Sequence, residues 1–407
     1  MVNFVFLSVY FYSVPNLRFP SFSHDWKIYT FDDIASYKKG PFGSALKKDL
    51  FVPKSKESVK VYEQQNAINK DCHLERYFIS ANYYEKMKSF TVYPGDTIVS
   101  CAGTIGELYT LPENADIGII NQALMIIRNN QAIILKDFLN IQFSRMIDEF
   151  SKTYSNGSAI KNIPPFSDLK RKKTYVPDKL EQEKIIKFIS LLDQKITTQI
   201  KIINSIESQI RAINNHIASD STSSELNIAS LFHVKTSNKL VESNTGKFCI
   251  VDMGTIDANG NYITGKYTDD ETSLIPYGTL VMPKDDIGGG KIICKTMCIN
   301  SSNKYALSDH VFALKLKNDK YNPVYFSALI NSQYNNHKLK KLVTGSAQLG
   351  INQENLNRYK LKFSDSLELQ HKYSEIIVRL NEELIIEKRL LDLFSSQKKY
   401  LLKNMFV

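Results

Sequence analysis

Two stretches of roughly 40 residues, 178–217 and 366–404, carry apolar side chains at alternating steps of three and four, the period of a helix that buries one stripe. In the first, the stripe is Ile185, Ile189, Leu192, Ile196, Ile200, Ile203, Ile206, Ile210, Ile213 and Ile217, with Lys184, Lys187, Asp193, Lys195, Lys201, Glu207 and Arg211 on the solvated face. In the second it is Tyr373, Ile377, Leu380, Leu384, Leu391, Phe394, Leu401 and Met405, with Glu387 and Lys398 in the remaining seam positions. The mean step is close to the 3.5 residues of a coiled-coil seam. At 1.5 Å per residue each helix is about 60 Å long. Neither can cover its stripe alone, so the two are expected to pair, antiparallel. Pro177 before the first helix and the serine-rich run 219–224 after it are its stops.

The segments before each helix read differently. Ser89-Phe90-Thr91-Val92-Tyr93 passes through Pro94-Gly95-Asp96 into Thr97-Ile98-Val99-Ser100, and Pro276-Tyr277-Gly278 leads into Thr279-Leu280-Val281-Met282. Turn residues ahead of β-branched runs mark strands, and both segments read as mixed, mainly β domains. They also match each other in order. Ile34-Ala35-Ser36 recurs as Ile228-Ala229-Ser230, Gly95-Asp96-Thr97-Ile98-Val99 as Gly278-Thr279-Leu280-Val281, and Gly157-Ser158-Ala159 as Gly345-Ser346-Ala347. Leu180-Glu181-Gln182 opens the first helix and Leu367-Glu368-Leu369-Gln370 the second. Four landmarks in one order, at offsets of 183 to 194 residues, indicate a duplicated domain-plus-helix unit.

A chain of 407 residues suits two to four domains. Lys and Arg number 52 against 42 Asp and Glu, a net +10 that favours a polyanionic partner, nucleic acid before others, over a merely solubilising surface. Of five cysteines, only Cys294 and Cys298 are close, with no second pair or histidine at zinc-finger spacing. No metal site is expected, and few unpaired thiols fit a reducing compartment. The apolar Met1 to Tyr12 lack the basic start of a signal peptide and are too short to span a bilayer. They are expected to form an edge strand or to come from an upstream start codon, in a soluble, cytoplasmic protein.

With the duplication in view, the sequence resembles the specificity subunits of type I restriction-modification systems from about Val14 onward. In the first half the resemblance rests on Val14-Pro15-Asn16-Leu17-Arg18-Phe19-Pro20, Trp26-Lys27 and the loop Lys38-Lys39-Gly40-Pro41-Phe42-Gly43-Ser44-Ala45-Leu46-Lys47. Ser100-Cys101-Ala102-Gly103-Thr104-Ile105-Gly106 and Gly118-Ile119-Ile120-Asn121-Gln122-Ala123-Leu124 add to it. In the second half it rests on Val281-Met282-Pro283-Lys284-Asp285-Asp286-Ile287 with the glycines that follow, Ser308-Asp309-His310-Val311, and Gly345-Ser346-Ala347-Gln348-Leu349-Gly350. Two departures stand out: the apolar N-terminus, and Ile163-Pro164-Pro165-Phe166 where a polar turn is usual.

The resemblance implies an α+β chain with two mixed, mainly β target-recognition domains, separated by two long helices pairing as an antiparallel coiled coil, pseudo-two-fold duplicated. The expected divisions are 1–165, first recognition domain; 166–220, central spacer helix and linker; 221–355, second recognition domain; and 356–407, C-terminal spacer helix. It further implies a non-catalytic subunit that reads a bipartite site in double-stranded DNA. Two modification subunits carrying S-adenosylmethionine would methylate adenine, and restriction subunits using ATP and Mg would cleave. No cofactor is implied for this chain.

The DNA-contact candidates follow from chemistry and resemblance together. Lys38, Lys39, Lys47 and Lys48 flank a Gly-Pro-Phe-Gly-Ser turn, where lysines neutralise phosphates, Ser44 donates and Phe42 stacks or wedges. The alternative is a solvated hairpin tip. Thr104, Asn121 and Gln122 lie in the resembling loops. Ser158, Lys161 and Asn162 offer a flexible backbone with groups suited to phosphate or adenine, or else a turn leading into the helix. In the second domain the candidates are Lys284, Lys291, His310, Ser346 and Gln348.

Other motifs fail on spacing. The glycine run before Lys291 has neither phosphate-loop nor dinucleotide spacing. Asn162-Ile163-Pro164-Pro165-Phe166 is similar to an adenine-methyltransferase motif, but the inserted isoleucine displaces the amide. Pro177-Asp178 with Glu181 and Glu183-Lys184 lacks the Glu-x-Lys step of a nuclease, and the histidines are scattered. Two other readings stay open: a stand-alone DNA-binding regulator or decoy, and a coiled-coil scaffold that never touches DNA. Apolar residues exposed outside the seam argue against the first, and salt-dependent DNA binding against the second. Because antiparallel helices would set the separation of the two readers, removing one helical turn from both should shorten the gap in the recognised site, measurable as the spacing of the methylated motif.

Overall fold

The computed structural model describes residues 14–154, 166–220, 223–263, 265–287, 289–346 and 348–407, with the side chains of 151–154 and 166 left out. The expected edge strand at the N-terminus and the 157–163 turn lie outside them. The chain divides into two units, Met1–Ile196 with Leu393–Val407, and Thr197–Asp392. The first long helix, α1, spans Lys179–Asp220, and the second, α2, Leu367–Asn404, so each contributes to both units.

Each unit is built around a four-stranded antiparallel sheet of the same topology. In the first, β1 (Ala35–Lys39), β2 (Thr97–Ser100), β3 (Leu108–Thr110) and β4 (Leu124–Asn129) lie in the order β1–β4–β2–β3. In the second, β5 (Phe232–Lys235), β6 (Leu280–Pro283), β7 (Met297–Cys298) and β8 (Val311–Leu316) lie in the order β5–β8–β6–β7. Beside each sheet is a parallel strand pair, Ser58–Tyr62 with Gly118–Ile120 and Phe248–Val251 with Tyr305–Leu307. A two-strand ribbon joins the start of each unit to the segment just before its long helix: Lys27–Thr30 pairs with Lys173–Val176, and Ser224–Asn227 with Lys360–Phe363. Side-chain caps at Thr30 and Asn227 start the equivalent short helices Phe31–Ile34 and Ile228–Leu231, each running straight into the first sheet strand. The duplication inferred from four landmarks thus extends to strand order and connectivity.

The repeated Leu-Glu-Gln and Leu-Glu-Leu-Gln landmarks have a mechanical reason. The Gln182 side chain, fully buried, accepts from the Leu135 N–H at 2.7 Å and donates to the Ile133 and Pro177 carbonyls at 3.1 and 2.9 Å. Gln370, also fully buried, accepts from the Asn322 N–H at 3.0 Å and donates to the Ser364 carbonyl at 2.8 Å. Each amide fastens the first turn of a long helix to the loop ahead of a domain helix. The glutamates diverge. Glu181 is buried and takes two bonds from Arg18, at 2.8 and 2.7 Å, and one from the Trp26 indole at 3.2 Å, whereas Glu368 is exposed. The carboxylate raises the Arg18 pKa above its ordinary value, chiefly through that hydrogen bond.

The helices pair antiparallel within each unit. In the first, Ile185, Ile189 and Leu192 share a core with Met405 and Phe406, and Lys398 reaches Asp193 at 2.5 Å. In the second, Ile203, Ile206 and Ile210 pack with Leu380, Leu384 and Leu391, while Ile217 and Ile377 join the domain core. The expected seam is corrected at one position. Ile200 is 44% exposed, and its neighbour Gln199 is buried instead, donating to the Glu387 carbonyl at 3.1 Å and to its carboxylate. Glu387 occupies a seam position, and only a hydrogen-bonding partner can satisfy it there. Replacing Gln182 with Ala strands one buried N–H and two carbonyls, and should cost about 1–3 kcal/mol in urea unfolding. Leu180→Ala, two residues away but 70% exposed, should cost within about 0.5 kcal/mol.

Candidate nucleic-acid interface

In the first unit most of the predicted residues meet at one corner of the sheet. Lys38 and Lys39 end β1, exposed, and the Gly40 N–H continues the pairing by donating to the Leu124 carbonyl at 2.9 Å. A Cβ on Gly40 would sit 1.8 Å from the Asn121 carbonyl oxygen, so only glycine lets the loop pass there. Past it, Pro41 is buried and Phe42 is 88% exposed. The loop is pinned behind Phe42 by the buried Leu46, and the Tyr83 hydroxyl donates to the Ala45 carbonyl at 2.8 Å. An aromatic ring held out by an anchored loop is available for stacking or wedging. Ser44 is exposed in the turn Gly43–Ala45, and Lys47 and Lys48 are exposed at the next turn. Lys38 lies over the Phe90 ring, its Nζ 4.6 Å from the centroid.

Two further loops complete this corner. The Cys101 N–H donates to the Ala123 carbonyl at 2.8 Å, joining the loop that carries exposed Thr104 to the turn that carries Asn121 and Gln122. Thr104 is steadied through its carbonyl, which accepts from Gln64 at 3.2 Å. Asn121 spends its side-chain oxygen on the Ala123 N–H at 3.0 Å, so its first role is to shape the turn. Gln122 is exposed, and its Nε2 comes within 4.0 Å of where a Gly43 side chain would begin. Burial pushes the Cys101 thiol up to about 12, with the charge of Lys39 opposing in part, so the thiol in this corner stays protonated near neutrality. Ser158, Lys161 and Asn162 lie outside the described residues.

In the second unit the equivalent corner gathers all five candidates. The Lys284 N–H donates to the His310 carbonyl at 3.0 Å, the counterpart of the Cys101–Ala123 bond. The Ile351 N–H returns to the Lys284 carbonyl at 2.9 Å, and Asp285 and Asp286 pair antiparallel with Gly350 and Leu349. That pairing brings in the exposed Ser346 and Gln348, on a loop closed by two backbone bonds between Thr344 and Gly350 at 2.9 and 2.8 Å. Gly345 has φ +100°, and a Cβ there would lie 2.0 Å from the Gln348 carbonyl oxygen, so this turn requires glycine. Lys291 is exposed at the loop that Asp286 holds by accepting from the Ile292 and Ile293 N–H groups at 2.9 and 3.3 Å.

The residue that sequence reasoning passed over is Asp285, whose carboxylate lies 2.8 Å from His310 Nδ1. Its signal was present in Lys284-Asp285-Asp286, a carboxylate pair beside a lysine, but the pairing with a histidine 25 residues away is a tertiary fact. Also unannounced is Lys60, buried, whose ammonium donates to the Cys72 carbonyl, lies 3.9 Å from Glu75 and 4.8 Å from the Tyr62 ring centroid. Desolvation lowers its pKa below the ordinary lysine value. Among the described residues one group of possible metal ligands lies together, Asp71, Cys72 and His73, but Asp71 already accepts from the His73 N–H and Cys72 is buried. Among the same residues no helix is long and apolar enough to cross a membrane.

The exposed groups of the first corner can be tested apart from folding. Phe42→Ala should leave stability within about 0.5 kcal/mol while weakening DNA binding. Lys39→Ala, Lys47→Ala and Lys48→Ala should each flatten the plot of log affinity against log salt by about 0.9, one phosphate contact apiece. Titrations at several salt concentrations read both effects.

The type I restriction modification DNA specificity domain matches this chain twice, over residues 23–208 and 222–393. No curated protein sequence matches it. Among solved structures the chain is similar to the type I restriction-modification system S subunit from M. genitalium, at 16% identity and a TM-score of 0.59, covering 97% of this chain and 99% of that one. It is also similar to a chain from a structure described as the basis of complex assembly and conformational transition of the type I R-M system. That match has 10% identity and a TM-score of 0.53, covering 93% of this chain and 96% of that one. At such identities the structures speak to the fold, two mixed helix-and-sheet domains with a long helix after each. The two matches to the domain cover most of the sequence, and the chain belongs to the type I restriction modification DNA specificity family.

Proposed function

We propose that this chain is the target-reading subunit of a type I restriction-modification complex. Each recognition domain binds one half of a split site in double-stranded DNA, and the chain directs adenine methylation by two modification subunits and restriction by motor-nuclease subunits. The observation that carries the reading is the repeated corner. Two copies of one strand arrangement offer different polar and cationic side chains at the same place, as a reader of two unlike half-sites requires. The net charge of +10 suits a phosphate backbone. The chemistry of methyl transfer and cleavage, with S-adenosylmethionine, ATP and Mg, belongs to the partner subunits, and the complex works in the cytoplasm.

Partner docking is supported by apolar residues outside the helix seam. Ile385, Ile386, Leu393 and Tyr400 of α2 are each more than half exposed, and Leu180 and Leu191 of α1 are exposed as well. A DNA-binding protein acting alone has no use for such a surface. A solved structure of similar fold is described as showing complex assembly of a type I system, in line with this reading.

The test is genome-wide mapping of methylated adenine in cells carrying the modification subunit, with and without this chain. A split motif with a fixed gap that appears only with the chain is the expected result. Stable co-purification with the modification subunit but no new motif would overturn the assignment as an active reader.

A further inference from the structure

The two corners share a backbone and differ in side chains, and one of the differences is a hydrogen-bonded pair that only the second has. The bond from the Cys101 N–H to the Ala123 carbonyl, at 2.8 Å, corresponds to the bond from the Lys284 N–H to the His310 carbonyl, at 3.0 Å. Both follow the central sheet strand by one residue and precede the next antiparallel strand by one. On this alignment Ala123 stands where His310 stands, and Ala102 where Asp285 stands. The first unit has two methyl groups at a place where the second has an imidazole bonded to a carboxylate.

That pair has a defined polarity. Asp285 Oδ2 lies 2.8 Å from His310 Nδ1, and a carboxylate only accepts, so the proton between them sits on Nδ1. The other ring nitrogen, Nε2, is 3.8 Å from Asp309 Oδ2, beyond hydrogen-bond range. Asp285 in turn is fixed by its backbone pairing with Gly350. The ring is therefore held by one edge and presents the other, with its side chain about a third exposed. A cavity of about 230 Å³ opens beside it, lined in part by Lys239, Lys266, Ser308 and Asp309. The tautomer with its proton on Nδ1 offers Nε2 as an acceptor, and the flanking carboxylates of Asp285 and Asp309 are acceptors too. In the major groove, acceptors match the exocyclic amino group of cytosine or adenine and oppose the keto oxygen of guanine or thymine.

We infer that His310, oriented by Asp285, reads one base pair of the half-site bound by the second recognition domain, through the exocyclic amino group of its cytosine or adenine. Ala123 and Ala102 leave the first domain without this contact. The inference rests on the proposed function and deepens it by assigning one position of the recognised sequence to one side chain.

The test compares methylated-adenine maps made with the intact chain and with His310→Ala, each co-expressed with the modification subunit. The intact chain should give a split motif. His310→Ala should relax a single base pair in one half of the original motif, by roughly 10-fold or more in base preference, with the other half unchanged. Asp285→Ala, which frees the ring, should relax the same position less. No motif with the intact chain defeats the proposed function itself. An intact motif that His310→Ala leaves unaltered overturns this inference alone, and so does relaxation confined to the other half of the motif. If His310→Ala abolished methylation, His310→Gln decides, because an amide can still accept from the amino group. A motif retained at that position supports the assignment, and uniform weakening with no change of base preference overturns it.

Discussion

The structure depends on covering two apolar stripes that neither long helix can bury by itself. A buried Ile or Leu side chain contributes about 1.5–3 kcal/mol, so stripes of this length dominate what the helices can do. In each unit the cover comes from the partner helix and from the domain at the helix base. Ile185 and Ile189 share the core that holds Trp26 and Phe138, and Ile217 the core that holds Phe326 and Phe363. Hydrophobic cover alone leaves a helix free to slide by a turn. Gln182 and Gln370 remove that freedom, because a buried amide finds its backbone partners in one position only. In the second unit Gln199 and Glu387 add a polar register mark inside the seam.

Each domain is thereby mounted on its helix start by the same device, and the corner that carries the candidate contacts is mounted on the sheet. The backbone bonds Cys101 to Ala123 and Lys284 to His310 hold equivalent loops at equivalent strand ends. A scaffold fixed by backbone hydrogen bonds can exchange side chains at its rim at small cost, since rim substitutions bury little and strand no partner. The two units use that freedom differently. The first displays Phe42 on an anchored loop among lysines, and the second an imidazole and carboxylates set by strand pairing. Such divergence over a shared frame suits the proposed reading of two half-sites by one duplicated fold.

Much of this is legible in the sequence, for reasons that differ by element. The expected helices 178–217 and 366–404 correspond to Lys179–Asp220 and Leu367–Asn404, because a sustained apolar period states where a helix must face its cover. The seam erred at Ile200, where period predicts burial but the facing Glu387 calls for the amide of Gln199. Period records hydrophobicity and is blind to what lies opposite. The Gly40 and Gly345 turns were visible as motifs, while the reason each must be glycine, a carbonyl oxygen 1.8 or 2.0 Å from a would-be Cβ, comes from other parts of the chain.

What the sequence determined by itself is local and periodic: two long amphipathic helices, their turns and stops, the duplication, a net positive charge, and the family resemblance carried by short motifs. These follow from spacing along one chain, where each residue's neighbours are already known. What only the tertiary structure decided is which of the scattered polar residues meet. His310 and Asp285, 25 residues apart, become one hydrogen-bonded pair only because two antiparallel strands put their ends side by side. Lys38, Phe42, Gln122 and Thr104 share a corner because three loops leave the same end of adjacent strands. Hydrogen bonds are short-ranged and directional, and no pattern along the chain records them until the strands are in register.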